Sequence, residues 1–235
     1  MIIPAYNEEK NIENTVKKII NYRKKSKNQI DYVVINDGSK DNTKKVCEKN
    51  KFNVVNLINN LGIGGGVQTG YKYAYEHDYD VAIQFDGDGQ HDENYIECLV
   101  DEIEKGNDFV IGSRFISDLS KFKSSGTRRV GIKILSFLIN ICTGHKIYDP
   151  TSGFRAANKK IIEIFKDNYP TEYPEPESSV HIIKRGFKVK EVPVEMHERQ
   201  FGTSSINPIK SVYYMFSVSL SILIASILRG GNRWV

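Results

Sequence analysis

Apolar positions along the first half of the chain alternate between two periods. Short runs at 30–35, 52–56, 81–85 and 108–111 predict strands, and the apolar run at 81–85 reads as a buried one. Between them, apolar residues recur at helical spacing. Ile12, Val16, Ile19 and Ile20 mark one amphipathic helix, and Ile96, Leu99, Val100 and Ile103 mark another. Further helices are expected from about Asp41 to Asn50 and from the glycine-rich turn to about His77. Asp41 and Asp92 stand where caps belong. Residues 1–4 look like the end of a first strand, short enough that the amino terminus reads as clipped.

Strict strand-helix alternation argues a parallel, doubly wound α/β sheet. Such sheets bind ligands beyond the carboxyl ends of their strands. The loops there carry Tyr6 and Glu8, then Asp37, then Asp86 and Asp88, then Arg114, so polar residues converge on one edge.

After residue 112 the alternation stops. Residues 117–126 are polar and basic. Residues 132–141 are apolar on nearly every face, which suits a buried helix or one lying on a membrane surface. The stretch 149–155 is a turn into a short strand. Glu175 and Glu177 precede a helix closing at Gly186, and 188–194 is a last strand. The chain ends in a long apolar helix, 206–228, with Arg229, Arg233 and Trp234 behind it. Residues 1–205 therefore read as one domain and 206–235 as an apolar, membrane-associating appendage. Four serines and Lys210 make the appendage a marginal span.

The 235 residues carry 33 Lys and Arg against 29 Asp and Glu, a net charge of +4, too mild to mark a nucleic-acid partner. No aromatic-interleaved basic motif is present either. Cys47, Cys98 and Cys142 have neither zinc nor disulfide spacing and read as free thiols. Met1 opens directly into Ile2-Ile3-Pro4, with no basic region ahead of an apolar run.

The chemistry centres on Asp86-Gly87-Asp88-Gly89-Gln90-His91-Asp92. Two carboxylates one residue apart at a strand end can lean towards one point. Taken alone, the pair is most simply a polar turn. An EF-hand fails because His91 sits where the loop needs glycine and because a strand enters it. The surroundings favour a metal-diphosphate site for Mg²⁺ or Mn²⁺. The glycines at 62–70 match neither the dinucleotide fingerprint, whose last glycine is replaced by Val67, nor the P-loop, whose lysine is replaced by Tyr71. They read either as an approach to a helix amino terminus near a phosphate or as a close-packed turn.

Together with Pro4-Ala5-Tyr6-Asn7-Glu8, Asn36-Asp37-Gly38-Ser39, Gly112-Ser113-Arg114, Ser152-Gly153-Phe154-Arg155 and Arg199-Gln200-Phe201-Gly202, this motif resembles the family 2 glycosyltransferases of GT-A fold. Within them it is most like the dolichol- and polyprenyl-phosphate sugar synthases. Asn36 departs from many relatives, which carry a second Asp there.

The resemblance implies a nucleoside-diphosphate sugar donor, UDP- or GDP-linked, in a pocket of Pro4, Tyr6, Glu8 and Asp37. It implies a divalent metal held by Asp86, Asp88 and Gln90. Arg114, Arg128 or Arg129, and Arg199 would grip donor and acceptor phosphates, a task suited to the guanidinium fork. Glu177, with Glu175 as second choice, would be the acceptor-side carboxylate. The acceptor would be a lipid phosphate or a glycan, and the enzyme would sit at the cytoplasmic face of the membrane. A silent nucleotide-sugar-binding scaffold and a sugar nucleotidyltransferase are the competing readings. The latter lacks its glycine-rich amino-terminal signature here.

Overall fold

The computed structural model describes residues 1–116, 126–197 and 208–227, with backbone alone at 127, 128, 208–215, 225 and 227. Seven strands form one sheet in the order β3-β2-β1-β4-β6-β5-β7. The strands are β1 (Ile2–Ala5), β2 (Val33–Asn36), β3 (Val54–Asn56), β4 (Val81–Gln84), β5 (Phe109–Ser113), β6 (Arg155–Asn158) and β7 (Val189–Pro193). All pairings are parallel except those of β6, which runs antiparallel to β4 and to β5. The doubly wound, mostly parallel expectation holds, with β6 as the inserted antiparallel strand.

Successive side chains of a strand point to opposite faces, and both faces are covered. Ile3, Ala5, Val34, Ile83 and Val110 pack under α1 (Ile12–Arg23), α2 (Thr43–Lys49) and α4 (Ile96–Glu104). Ile2, Val33, Ile35, Ala82 and Phe109 pack under α3 (Gly62–Glu76), α5 (Gly126–Thr143), α6 (Lys159–Phe165), α7 (Pro174–Lys184) and α8 (Pro208–Ile227). The result is a three-layer α/β/α arrangement.

The structure shifts some boundaries. β2 begins at Val33 rather than Ile30, because its ladder with β1 opens only at Ile2 opposite Val33. Ile30 is buried in the core without joining the ladder. Asp92 caps a short 3-10 turn, Glu93–Tyr95, that leads into α4. Asp41 accepts from the Thr43 amide at the start of α2 and, through its second oxygen, from the Glu9 amide, so it ties the first loop to the second. The glycines of α3 serve close packing: a β-carbon on Gly64 would stand 2.4 Å from the Pro170 carbonyl oxygen.

Helix α5 resolves the ambiguity of its apolar run. Ile132, Leu135 and Ile139 are buried at helical spacing, while Val130, Ile134, Phe137 and Ile141 face outwards. Helix α8 repeats this. Val218 and Ile222 enter the core, and Phe216, Leu220, Leu223 and Ile224 are exposed. Among the described residues, no helix is long and apolar enough to cross a membrane.

Candidate active site

Strand order reverses between β1 and β4, and the crevice at such a switch point is where open α/β sheets hold ligands. A cleft of about 730 Å³ opens there. Pro4, Tyr6 and Glu8 come to it from the end of β1, Asp37 from β2, and Asp86 and Asp88 from β4. Gly62, Ile63 and Gly66 bring the amino-terminal turn of α3 to the same cleft.

Local bonds fix these loops. The Asp37 carboxylate accepts from the Leu61 amide at 2.7 Å, and its carbonyl accepts from Asn60 Nδ2 at 3.1 Å. The Glu8 amide donates to Thr43 Oγ1, and its carboxylate accepts from Asn11 Nδ2 at 2.7 Å. Gly87 N donates to the Pro4 carbonyl, joining the acidic loop to β1. Asp88 accepts from the Gln90 amide at 3.0 Å.

Asp86 rests on a floor that its own motif supplies only in part. Gln84 Nε2 donates to its Oδ1 at 3.1 Å, and His91 Nε2 lies 3.2 Å from its Oδ2. Gly153 passes directly behind: a β-carbon there would stand 2.5 Å from Asp86 Oδ2. Arg155 is fully buried. It donates to the carbonyls of Ser152, Pro150 and Glu175 and to the hydroxyls of Ser178 and Ser179. The amino terminus of α7 is thereby tied to β6.

That tether sets the two glutamates of α7 apart. Glu175 hydrogen-bonds Gln84 and feels the charge of Asp86. Burial chiefly, with Asp86 adding to it, raises its pKa against the opposing pull of Arg155. Glu177 is turned instead to Ser221 of α8, and its pKa is raised by burial. Neither glutamate lines the cleft; Glu175 shares Gln84 with Asp86, whereas Glu177 is turned away to Ser221.

Other expected residues lie elsewhere. Arg114 is 3% exposed and is held bidentately by Asp149, with both nitrogen-oxygen distances 2.7 Å. Asp149 and Tyr148 in turn donate their amides to Glu191, whose pKa burial raises. Arg114 thus braces the loop after α5 and is not brought to the cleft. The Gln90 side chain donates to the His197 carbonyl at 3.3 Å, and Gln90 does not line the cleft either. Arg129 is exposed on α5 and lines a second cavity of about 490 Å³ with Lys133, Lys146, Phe115, Phe137 and Tyr148. The Arg128 side chain and Arg199 lie outside the described residues.

Among the described residues, no group of three or more His, Cys, Asp or Glu gathers to cage a metal. Two carboxylates at an open cleft are nonetheless the donor set expected for Mg²⁺ or Mn²⁺ that completes its shell with phosphate oxygens and water. The glycine behind Asp86 leaves that carboxylate room at the cleft. Asp86 and Asp88 are the residues that would hold such an ion.

Sequence reasoning gave Gln84 no role and took Gly153 only as part of a motif. Gln84 had a visible signal, a lone polar residue inside Val81-Ala82-Ile83-Gln84-Phe85.

This arrangement is a doubly wound α/β fold with an acidic pair in the ligand crevice at its switch point. Residues 1–165 match glycosyl transferase family 2. The chain is 33% identical over 216 residues to a UDP-N-acetylglucosamine–dolichyl-phosphate N-acetylglucosaminyltransferase of Methanococcus voltae, covering 83% of this chain and 84% of that protein. It is 26% identical over 231 residues to a polyprenol monophosphomannose synthase of Mycolicibacterium smegmatis, covering 93% and 84%. Glucosyl-3-phosphoglycerate synthase of Mycobacterium tuberculosis, solved with Mn²⁺, UDP and phosphoglyceric acid, superposes with a TM-score of 0.70 at 16% identity, over 98% of this chain and 78% of that one. The fold is GT-A. The chain belongs to glycosyltransferase family 2 and is a glycosyltransferase.

Proposed function

We propose that this enzyme transfers a sugar from a nucleoside-diphosphate sugar to a polyprenyl phosphate at the cytoplasmic face of a membrane, with inversion at the anomeric carbon. The observation that carries the reading is the cleft itself, which sets Asp86 and Asp88 across from Pro4, Tyr6, Glu8 and Asp37. The base and ribose of the donor lie against the β1 and β2 loops, and its diphosphate lies over the acidic pair. A divalent ion, when bound, offsets the charge that the departing diphosphate gains. The M. voltae and M. smegmatis proteins, named for dolichyl-phosphate and polyprenol acceptors, support the acceptor class.

A phosphate monoester is already an anion, so attack from the opposite face needs no general base, whereas a sugar hydroxyl would need one. On the acceptor side we place the basic cavity of Arg129, Lys133 and Lys146 and the outward apolar residues of α5 and α8. Arg128 and Arg199 are kept as candidates for phosphate contacts from sequence alone.

The test is transfer from a panel of radiolabelled UDP- and GDP-sugars, with Mn²⁺, to polyprenyl phosphate or to glycan acceptors. A glycolipid product is expected, and Asp88→Ala is expected to abolish it while the protein stays folded. Product on glycans alone overturns the acceptor assignment. Nucleotide-sugar binding without any transfer favours a binding scaffold.

A further inference from the structure

We propose that Gln84 and His91 are positioning residues that aim the Asp86 carboxylate into the cleft. This inference rests on the reading of Asp86 as a metal ligand. Both side chains are 0% exposed, and they approach the carboxylate from opposite oxygens. Gln84 comes from β4, two residues before Asp86. Its amide orientation is fixed from both ends, because Nε2 donates to Asp86 Oδ1 and Oε1 accepts from Tyr169 Oη at 3.4 Å.

His91 comes from the far side of the loop. Its ring stacks on Phe154 with centroids 4.9 Å apart and meets the edge of Phe85 at 5.4 Å. A backbone bridge between His91 and Met196 fixes the loop that carries it.

An apolar residue would fill this aromatic slot at lower cost. Apart from its approach to Asp86, the imidazole has no other polar contact that explains it: neither ring nitrogen makes a well-directed hydrogen bond. A buried polar group without a directed bond is costly, so the ring is in place for the one polar atom it reaches, Asp86 Oδ2 at 3.2 Å. A proton on Nε2 faces that oxygen, so the approach holds the carboxylate electrostatically. The carboxylate is then approached from behind at both oxygens, by Gln84 Nε2 and by His91 Nε2. Gly153, whose missing β-carbon leaves the space behind Oδ2 open, lets these groups close up. Partners behind a ligating carboxylate are expected to set metal affinity by ~10–100-fold.

The experiment is a titration of the full chain with Mn²⁺, alone and with UDP or GDP, read by the electron paramagnetic resonance signal of free Mn²⁺. Thermal melting is followed in parallel without metal. His91→Leu and Gln84→Met are each expected to weaken Mn²⁺ binding ~10–100-fold. His91→Leu is expected to melt at or above the wild-type temperature. His91→Gln, which keeps a donor, is expected to recover part of the affinity. A purely structural role predicts the reverse, lower melting with unchanged Mn²⁺ affinity in His91→Leu and Gln84→Met, and that result overturns the inference. If the wild type and Asp86→Ala bind Mn²⁺ equally weakly, the metal reading itself fails and this inference with it. That outcome is distinct from one in which the wild type binds and the variants are unchanged.

Discussion

At the scale of single residues, the cleft was legible where chemistry is local to a motif. Tyr6, Glu8, Asp37, Asp86 and Asp88 sit at strand ends, and alternation alone brings strand ends to one edge. What was not legible is contact made through tertiary packing. The sequence leaves Glu175 and Glu177 equivalent, two positions apart at a helix start. Only the Arg155 tether and the Ser221 contact separate them. For a polyprenyl-phosphate acceptor, Glu175→Gln is expected to keep turnover within ~10-fold of wild type, since amide and acid both bond Gln84 and no base is required. Glu177→Gln is expected to be near wild type. A loss of ~10²–10⁴-fold in Glu175→Gln alone would mark general-base catalysis and a hydroxyl acceptor. The placement of Arg114 is set by packing in the same way, because Asp149, thirty-five residues away, holds its fork. Gly153 makes a sharper case. Gly153→Ala sets a methyl 2.5 Å from Asp86 Oδ2 and 3.0 Å from Gln84 Nε2. Overpacking of that kind costs ~1–3 kcal/mol, and Asp86 is the group with room to yield. A fall in transfer of more than ~10-fold with a modest drop in melting temperature is expected. Wild-type kinetics would show that Asp86 is free to shift without consequence.

At the scale of elements, strands and long helices were readable because buried strands are short apolar runs and amphipathic helices keep a 3.6-residue period. The helix α6 (Lys159–Phe165) was missed: seven residues with apolar positions at Ile161, Ile162, Ile164 and Phe165 give too little sequence to show a period. Its start is signalled only by Asn158, whose side chain accepts from the Ile161 amide. Helix α7 carries a pH dependence that sequence could not show. Burial, with Arg185 adding to it, lowers the pKa of His181 from 6.5 to about 4. The folded state therefore prefers the neutral ring. Above pH 6.5 this costs nothing. As pH falls from 6.5 towards 4, the unfolded chain takes up a proton that the folded chain refuses, and stability drops. A shift of this size is worth at most ~3 kcal/mol, less for a ring that is partly exposed. Glu175, Glu177 and Glu191 act in the opposite sense: their raised pKa values favour the folded state as pH falls. The difference between wild type and His181→Gln isolates the imidazole. Chemical denaturation from pH 7 to 4 is expected to show wild type losing stability relative to the variant across that window. Parallel curves would remove the assignment.

At the scale of the whole molecule, the site edge and the outward faces of α5 and α8 are separate products of one packing problem. Among the described residues, eight α-helices cover a seven-stranded sheet, and most hide their apolar stripes. These two bury one stripe each and still present Val130, Ile134, Phe137 and Ile141, and Phe216, Leu220, Leu223 and Ile224, to the outside. Large outward apolar residues on adjacent helices mark an interaction surface in soluble proteins. Basic groups border this one at Arg129, Lys133 and Lys146. An anionic bilayer answers both features, since apolar side chains enter the interface and basic ones meet lipid phosphates. Removing residues 207–235 would be a poor test, because Val218 and Ile222 belong to the core. Substitution on the outer face leaves the core intact. The full chain is expected to float with anionic liposomes at low salt and to be partly released as salt rises, because charge attraction is screened over a Debye length of ~10 Å at 0.1 M. Phe137→Glu with Ile141→Glu is expected to abolish flotation with unchanged melting temperature, both side chains being more than 60% exposed. Lys133→Glu is expected to weaken binding to anionic vesicles and to leave residual binding to neutral ones unchanged. If the wild type stays at the bottom of the gradient on anionic vesicles at low salt, the outer faces of α5 and α8 meet another protein surface. A lipid-borne acceptor would then have to be delivered to the cleft by that partner.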